Sequence, residues 1–364
     1  MTLAQDIMEL ARWAPSGDNT QVWRFEFLDD ARVRVHGWDT AEKFGVFDWG
    51  GIPSLLSLGC LIETAAQAAT LQACRVDVSW LPDPAPHRYL FDLHFVRDAA
   101  IKPTALAQCV TQRSVQRGPL SPRALSREEK QALEAAAGEF QVLWLEDDKR
   151  TPAAHLNYDF AGPRLTMPEA YASLAAALDP DARARVSLDR MPAATLPLDA
   201  LTRHLIVWAL KRWERVHLMN TLFGTALTRL QLDLIPGLRC AAQMALMAAH
   251  LPLSRDDHVA AGRAFQRVWL TAEHLGLRLQ PEYTRVAFSR HVWEGVEITR
   301  VKAIQARVEK LAGAFAALLA PVPVQHCVML MRMGAGKSAP ARALRLSLTD
   351  LTLPYADRPA KPSS

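Results

Sequence analysis

The chain has 364 residues, 50% of them hydrophobic, 22% charged, and a net charge of +4. That is enough apolar material for a sizeable core and argues against wholesale disorder. The mild, dispersed basicity gives no case for nucleic acid, although a local arginine cluster could serve a phosphate.

The first segment, "LAQDIMELA", repeats Leu3, Ile7, Leu10 and Ala11 at helical spacing, which predicts a helix over 3–13 stopped by Pro15. The polar loop "APSGDNTQVW" follows, then "WRFEFLDD" alternates as a strand with "RVRVHGW" as its hairpin partner across Asp29, Asp30 and Ala31. Residues 54–72 are apolar nearly all round and predict a buried helix. "CRVDVSW" and "YLFDLHFV" alternate as two further strands.

Near residue 100 the pattern restarts. "ALSREEKQALEAAAG" predicts a helix with Ser126 and Glu129 as a capping box and Gly138 as its stop, and "FQVLWLEDD" predicts a strand. Trp23–Asp30 sets against Phe140–Asp147, Leu10 against Leu133, and Gly59 against Gly262. The second copy thus lacks most of the polar loop and carries an insert over roughly 150–250, which includes the helical, amphipathic "LIVWALKRWERVHLMNTLFGTALTRLQLDL". Two copies with one insert suggest a duplicated fold that imitates a dimer; chance likeness of two helix–strand units is the alternative. The expected halves are 1–105 and 106–364. A long helix over 296–319, with Val301, Ile304, Val308, Leu311 and Phe315 facing the core, and a buried strand "VQHCVMLMRMG" come last.

Five cysteines without CxxC spacing fit reduced thiols, and eleven histidines show no metal-ligand pattern, so no metal site is expected. The N-terminus lacks a signal-like apolar run, and "CAAQMALMAAHLPL" is short of the about 20 residues that span a bilayer. The expectation is a soluble, cytoplasmic protein without membrane or nucleic-acid partners. The run "GAGKS" lacks the first P-loop glycine, since Met331 stands there, and too little chain follows it for a nucleotide domain.

The stretch "ARWAPSGDNTQVWRF" resembles the FMN-dependent nitroreductase family, in which A-P-S-x-x-N-x-Q-P-W lies between a helix and a strand. Ala14, Pro15, Ser16, Asn19, Gln21 and Trp23 match, and Val22 replaces the usual proline. The resemblance implies an α+β fold with helices around a mixed or antiparallel sheet, and two fused half-units forming a pseudo-dimer. It also implies that Pro15, Ser16, Asn19 and Gln21 approach the flavin, where an amide-rich ring needs hydrogen-bond partners. A plain helix-terminating turn is the other reading of the loop.

"QRSVQRGPLS" resembles the family's phosphate segment, with Arg113, Ser114 and Arg117 as candidates and Gln112 and Gln116 where a basic residue is often found. A guanidinium fork suits a phosphate dianion. A solvated basic linker between halves would read the same way. In the C-terminal segment Arg345 and then Arg342 are further phosphate candidates, and Leu279 and Gln280 resemble the stretch passing the flavin's reactive edge. The loop survives only in the first half and the phosphate segment only in the second, so one composite site and one FMN per chain are expected.

The implied activity is an FMN-dependent oxidoreductase carrying electrons from NAD(P)H to an unidentified acceptor, with no catalytic side chain singled out. The alternatives are FMN storage under a closed lid without turnover, and a helix-rich protein with no cofactor. The wording of the loop is most similar to the members associated with molybdopterin biosynthesis or adenylating enzymes. The insert is a lid or a partner surface, and a monomer is plausible beside a homodimer.

Overall fold

The computed structural model describes residues 2–82 and 85–353. Pro354, in the closing tail, lies outside them. Two four-stranded antiparallel sheets stand on either side of a central helix pair.

The first sheet holds β1 (Trp23–Phe27), β2 (Arg32–Trp38), β3 (Cys74–Trp80) and β4 (Arg88–Arg97) in the order β1-β2-β4-β3. The hairpin register sets Trp23 against Gly37 and Phe25 against Val35, as the alternation predicts. Trp23, Phe25, Val33, Val35, Phe91 and Leu93 turn inward and share a core with the Ile52–Thr70 helix. Outward, Arg34 pairs with Asp92 at 2.8 Å on the neighbouring strand.

The second sheet holds β5 (Gln141–Leu145), β7 (Ala242–Met247), β8 (Leu277–Pro281) and β9 (Cys327–Ala335) in the order β5-β7-β9-β8. Each sheet therefore runs first, second, fourth, third in its own chain order. In each, a helix precedes the first strand (Leu3–Ala11 and Arg127–Ala137) and another joins the second strand to the third (Ile52–Thr70 and Arg255–His274). The capping box of Ser126 with Glu129 forms as expected, and Gly138 ends that helix at φ +65°. Residues 12–22 lead from helix to strand in the first unit, and only 138–140 in the second.

Both faces of the second sheet are covered. Met244 and Leu246 pack toward the Arg255–His274 helix, whereas Ala245 and Met247 pack toward Phe160, Phe288 and Phe315. A strand buried on both faces reads as a continuous apolar run without alternation. That is why "CAAQMALMAAHLPL" gives no strand signal, although six of its residues form β7.

The Ile52–Thr70 helix is apolar all round because it packs on its own sheet and on the Arg255–His274 helix. Gly59 and Gly262 meet at the crossing: a Cβ on Gly262 would lie 2.1 Å from the carbonyl oxygen of Leu56. Around this close approach, Glu63 accepts from Arg263 at 3.1 Å and Arg267 at 3.0 Å, and Gln266 donates to Thr64 at 2.9 Å.

The insert between β5 and β7 is helical: Arg150–Thr166, Pro168–Ala177, Ala200–Ala209, Trp213–Phe223 and shorter turns to Leu238. A two-residue strand inside it, β6 (Val186–Ser187), pairs in parallel with β10 (Arg342–Ala343) of the tail. The tail then crosses to the first unit, where the amide of Leu353 donates to Phe25 O at 2.9 Å and Leu351 enters the first core.

Two helix boundaries differ from expectation. The first helix ends at Ala11, not 13. The span 296–319 narrows to Lys302–Leu319, with a separate Thr284–Trp293 helix before it. Val301 precedes the longer helix and is 40% exposed, while Val308, Leu311 and Phe315 are buried as expected.

Candidate functional site

The polar loop is a tight, strained connection. After Pro15, residues Gly17–Asn19 make one 3-10 turn, and Asp18, Asn19 and Gln21 take φ of +49°, +63° and +48°. Each such non-glycine residue costs roughly 1–2 kcal/mol. Side chains hold the loop in place. Ser16 Oγ accepts the amide of Gln21 at 2.9 Å, and Thr20 Oγ1 donates to Gly17 O at 2.9 Å. Asn19 Nδ2 donates to Leu188 O and Leu344 O, both at 3.1 Å, so one amide ties the loop to the insert and to the tail. Gln21 does the same, donating to Leu188 O at 2.8 Å and accepting from the Leu346 amide at 2.9 Å.

The Arg113–Arg117 segment comes from the other unit. Val115 bridges to Leu279 beside β8, and the amide of Gln116 donates to Leu279 O at 3.1 Å. Arg332 fixes its far end, donating to Gly118 O at 3.1 Å and Arg117 O at 2.5 Å. Arg332 is itself anchored by Glu282 at 3.1 Å.

Between loop and segment lies a cavity of about 1010 Å³. Pro15, Ser16, Asn19, Arg113, Ser114, Arg117, Gln280, Arg342 and Arg345 all line it. Gln21 and Leu279 do not: Gln21 is wholly buried in the hydrogen bonds just described, and the Leu279 side chain points into the core under the sheet. Asn19 lines the cavity, but its amide nitrogen is committed to the two backbone segments, leaving Oδ1 buried without a partner.

The arginines define the electrostatics. Among the described residues, Arg113, Arg117, Arg342 and Arg345 have no carboxylate within ion-pair distance. Arg113 is 4% exposed, lies 4.2 Å over the Trp269 ring, and donates to Trp13 O at 3.2 Å, while its Nε has no partner. Arg342 donates to Thr111 O at 2.7 Å and also leaves Nε unpartnered. Arg345 donates to Ala14 O at 2.9 Å and Leu344 O at 2.8 Å. Burial pulls the Arg113 and Arg117 guanidinium pKa values down to about 10. Burial, followed by repulsion from Arg113, Arg342 and Arg12, pulls Arg345 further below the usual range. Arg113, Arg342 and Arg345 lie near enough to repel one another, offset only in part by Glu273, whereas Arg117 sits near Asp18 and Arg332. Desolvated like charges of this kind are unfavourable alone and favour an anion.

Residues that sequence reading missed also reach the cavity. Asp18 projects into it while keeping exposed surface; crowding raises its carboxyl pKa, opposed by Arg117 and Arg164. Ser57 accepts the Gly17 amide at 3.4 Å, and Trp269, Glu282, Arg164 and Arg332 complete the wall. Arg332 had a signal, since an arginine inside the apolar run "VMLMRMG" must find a buried partner. The others are brought in by tertiary packing alone.

No P-loop forms: β9 runs to Ala335, and residues 336–341 continue without a helix. Lys337 is exposed, and its carbonyl accepts from Gln116 at 2.8 Å. Among the described residues no cluster of three metal-ligating side chains occurs, and the five cysteines are buried and unpaired.

No family model and no curated protein matches the sequence. The solved structures include a nitroreductase-like family protein from Bacillus cereus, similar over 68% of this chain and 94% of its own, at 13% identity and a TM-score of 0.36.

Proposed function

We propose that the chain is an FMN-dependent oxidoreductase of nitroreductase type, holding one FMN per chain and passing electrons from NADH or NADPH to a small acceptor. The observation that carries this reading is that four arginines, none within ion-pair distance of a carboxylate among the described residues, line the cavity that the loop resembling the nitroreductase motif also lines, three of them (Arg113, Arg342 and Arg345) near enough to repel one another.

The residues present fit the cofactor. Arg113, Arg117, Arg342 and Arg345, with the hydroxyl of Ser114, would hold the phosphate, whose dianion offsets the repulsion among Arg113, Arg342 and Arg345. The unpartnered acceptors Asn19 Oδ1 and Gln280 Oε1 suit the donors of an amide-rich ring. When bound, the flavin supplies the acceptance and release of a hydride; the chain supplies orientation, charge balance and shelter from water. Trp269 supports Arg113 from below, and Arg332 fixes the backbone of Arg117 and Gly118.

The two units, alike in strand order, support a fused pseudo-dimer in which each unit supplies half of the single site. The alternative is FMN storage under a closed lid. It requires the insert to seal the cavity, whereas Phe223 and Leu227 line the cavity and are 73% and 58% exposed. That open rim favours turnover.

The test is anaerobic addition of NADH, then NADPH, to the purified FMN-loaded protein. Bleaching of the flavin's visible band is expected with at least one donor. Failure with both would overturn the oxidoreductase reading and leave FMN binding standing.

A further inference from the structure

The anion end accounts for one part of the cavity; the insert walls the rest, and this second part differs in chemistry. The Trp213–Phe223 helix buries none of its eleven residues. Such a helix gains too little from packing to offset the ordering of its chain. One apolar stripe of it lines the cavity, with Val216, Met219 and Phe223 at helical spacing, and Leu205, Ile206 and Leu210 line the same cavity. The insert's lining carries three charged residues, and two of them, Arg164 and Asp233, cancel each other at 3.0 Å. The third, Asp189, is exposed. A ligand lying there meets mostly hydrocarbon on the insert side, with scattered neutral polar groups such as Ser173, Thr195 and Asn220, and no unpaired buried charge from the insert.

We infer that the insert builds a chamber for a second ligand, an uncharged and largely hydrocarbon small molecule, seated beside the arginine-lined end of the same cavity. The inference deepens the flavin reading by naming the class of the second ligand, and rests on it for the claim that this ligand meets a redox cofactor. A small molecule suits the site better than a protein face because these side chains wall a concave space continuous with the anion end. At about 1010 Å³ that space reaches the upper limit of roughly 1,000 Å³ for single-ligand pockets, so two occupants fit. Filling it would bury the Trp213–Phe223 helix face and complete its packing.

The experiment uses the full-length protein without added flavin and the neutral fluorescent probe N-phenyl-1-naphthylamine, displaced by a series of straight-chain alcohols. Probe fluorescence should rise on binding, and each added methylene should tighten displacement about fourfold until the chamber is full. Met219→Asp should weaken probe binding at least tenfold. Val216→Thr, which keeps the side-chain shape, should weaken it severalfold and guards against misfolding of the first variant. Arg117→Ala should leave probe binding unchanged while weakening FMN. Displacement independent of chain length, or wild-type probe binding by both insert variants, would overturn the chamber. Alcohol binding by a protein that refuses FMN would sink the flavin reading and keep the chamber, so the two failures are distinguishable.

Discussion

Gly59 and Gly262 stand against each other where the two central helices cross, so closely that a Cβ on Gly59 would lie 2.2 Å from the carbonyl oxygen of Val259 and 2.9 Å from the Cα of Gly262. Each occupies the same place in its own unit, on the helix between second and third strands. The crossing therefore joins corresponding positions of the two helices.

Gly59→Ala and Gly262→Ala should each destabilise the protein by about 3 kcal/mol, because the added methyl meets backbone that cannot step aside. Urea unfolding measures this. A loss of under about 0.5 kcal/mol, the size of an ordinary surface substitution, would mean that the helices do not cross this tightly.

The Arg117 side chain makes no hydrogen bond or ion pair among the described residues and is desolvated. Arg117→Ala should therefore leave the FMN-free protein as stable or more stable, while weakening FMN at least tenfold by loss of a charge-assisted contact. Thermal unfolding with and without FMN reads both effects. Equal losses in the two states would make Arg117 a structural residue only.

Burial, with repulsion from Arg290, lowers the imidazole pKa of His258 to about 4, against 6.5 for an ordinary imidazole, and the residue is 4% exposed. The sign follows from which state binds the proton. Between these two values the unfolded chain is protonated and the folded chain is not, so stability should fall as pH falls from 6.5 toward 4, by about 3 kcal/mol in all. His258→Gln should flatten that part of the curve of stability against pH. An unchanged slope in the variant would assign the acid sensitivity to other groups.

Asn19→Ala removes the donor that ties the loop to Leu188 and Leu344 and leaves both carbonyls without it. A cost of about 2 kcal/mol is expected, together with faster hydrogen exchange at the Leu344 amide, which donates to Ser187 O at 2.8 Å. Unchanged exchange there would show that the tail is held without the loop.

The first sheet was legible because one face of each strand meets a core and the other meets solvent, so Trp23, Phe25, Val33 and Val35 alternate with polar residues. β7 was not, because packing on both faces erases the alternation. Nine candidate residues share one cavity because the loop and the arginine segment each carry a local pattern. Gln21 could not be sorted from its neighbours by sequence, since its burial depends on Leu188 and Leu346, distant parts of the chain. Val22 replaces the usual proline and is buried with the first core, its carbonyl accepting the Trp38 amide at 3.3 Å. Arg164 and Asp18 reach the site through the fold of the insert and a strained turn, neither of which has a sequence period.

The central claim is that the arginine cluster reads the phosphate of a flavin nucleotide. The most direct measurement is a parallel fluorescence titration of the flavin-free protein with FMN and with riboflavin, which lacks only the phosphate. FMN should bind at least a hundredfold tighter, and the gap should close to within about threefold in the Arg113→Ala, Arg117→Ala double variant, each lost charged contact being worth about 1.5–3 kcal/mol. Equal affinities for FMN and riboflavin in the unmodified protein, or no binding of either, would contradict the account.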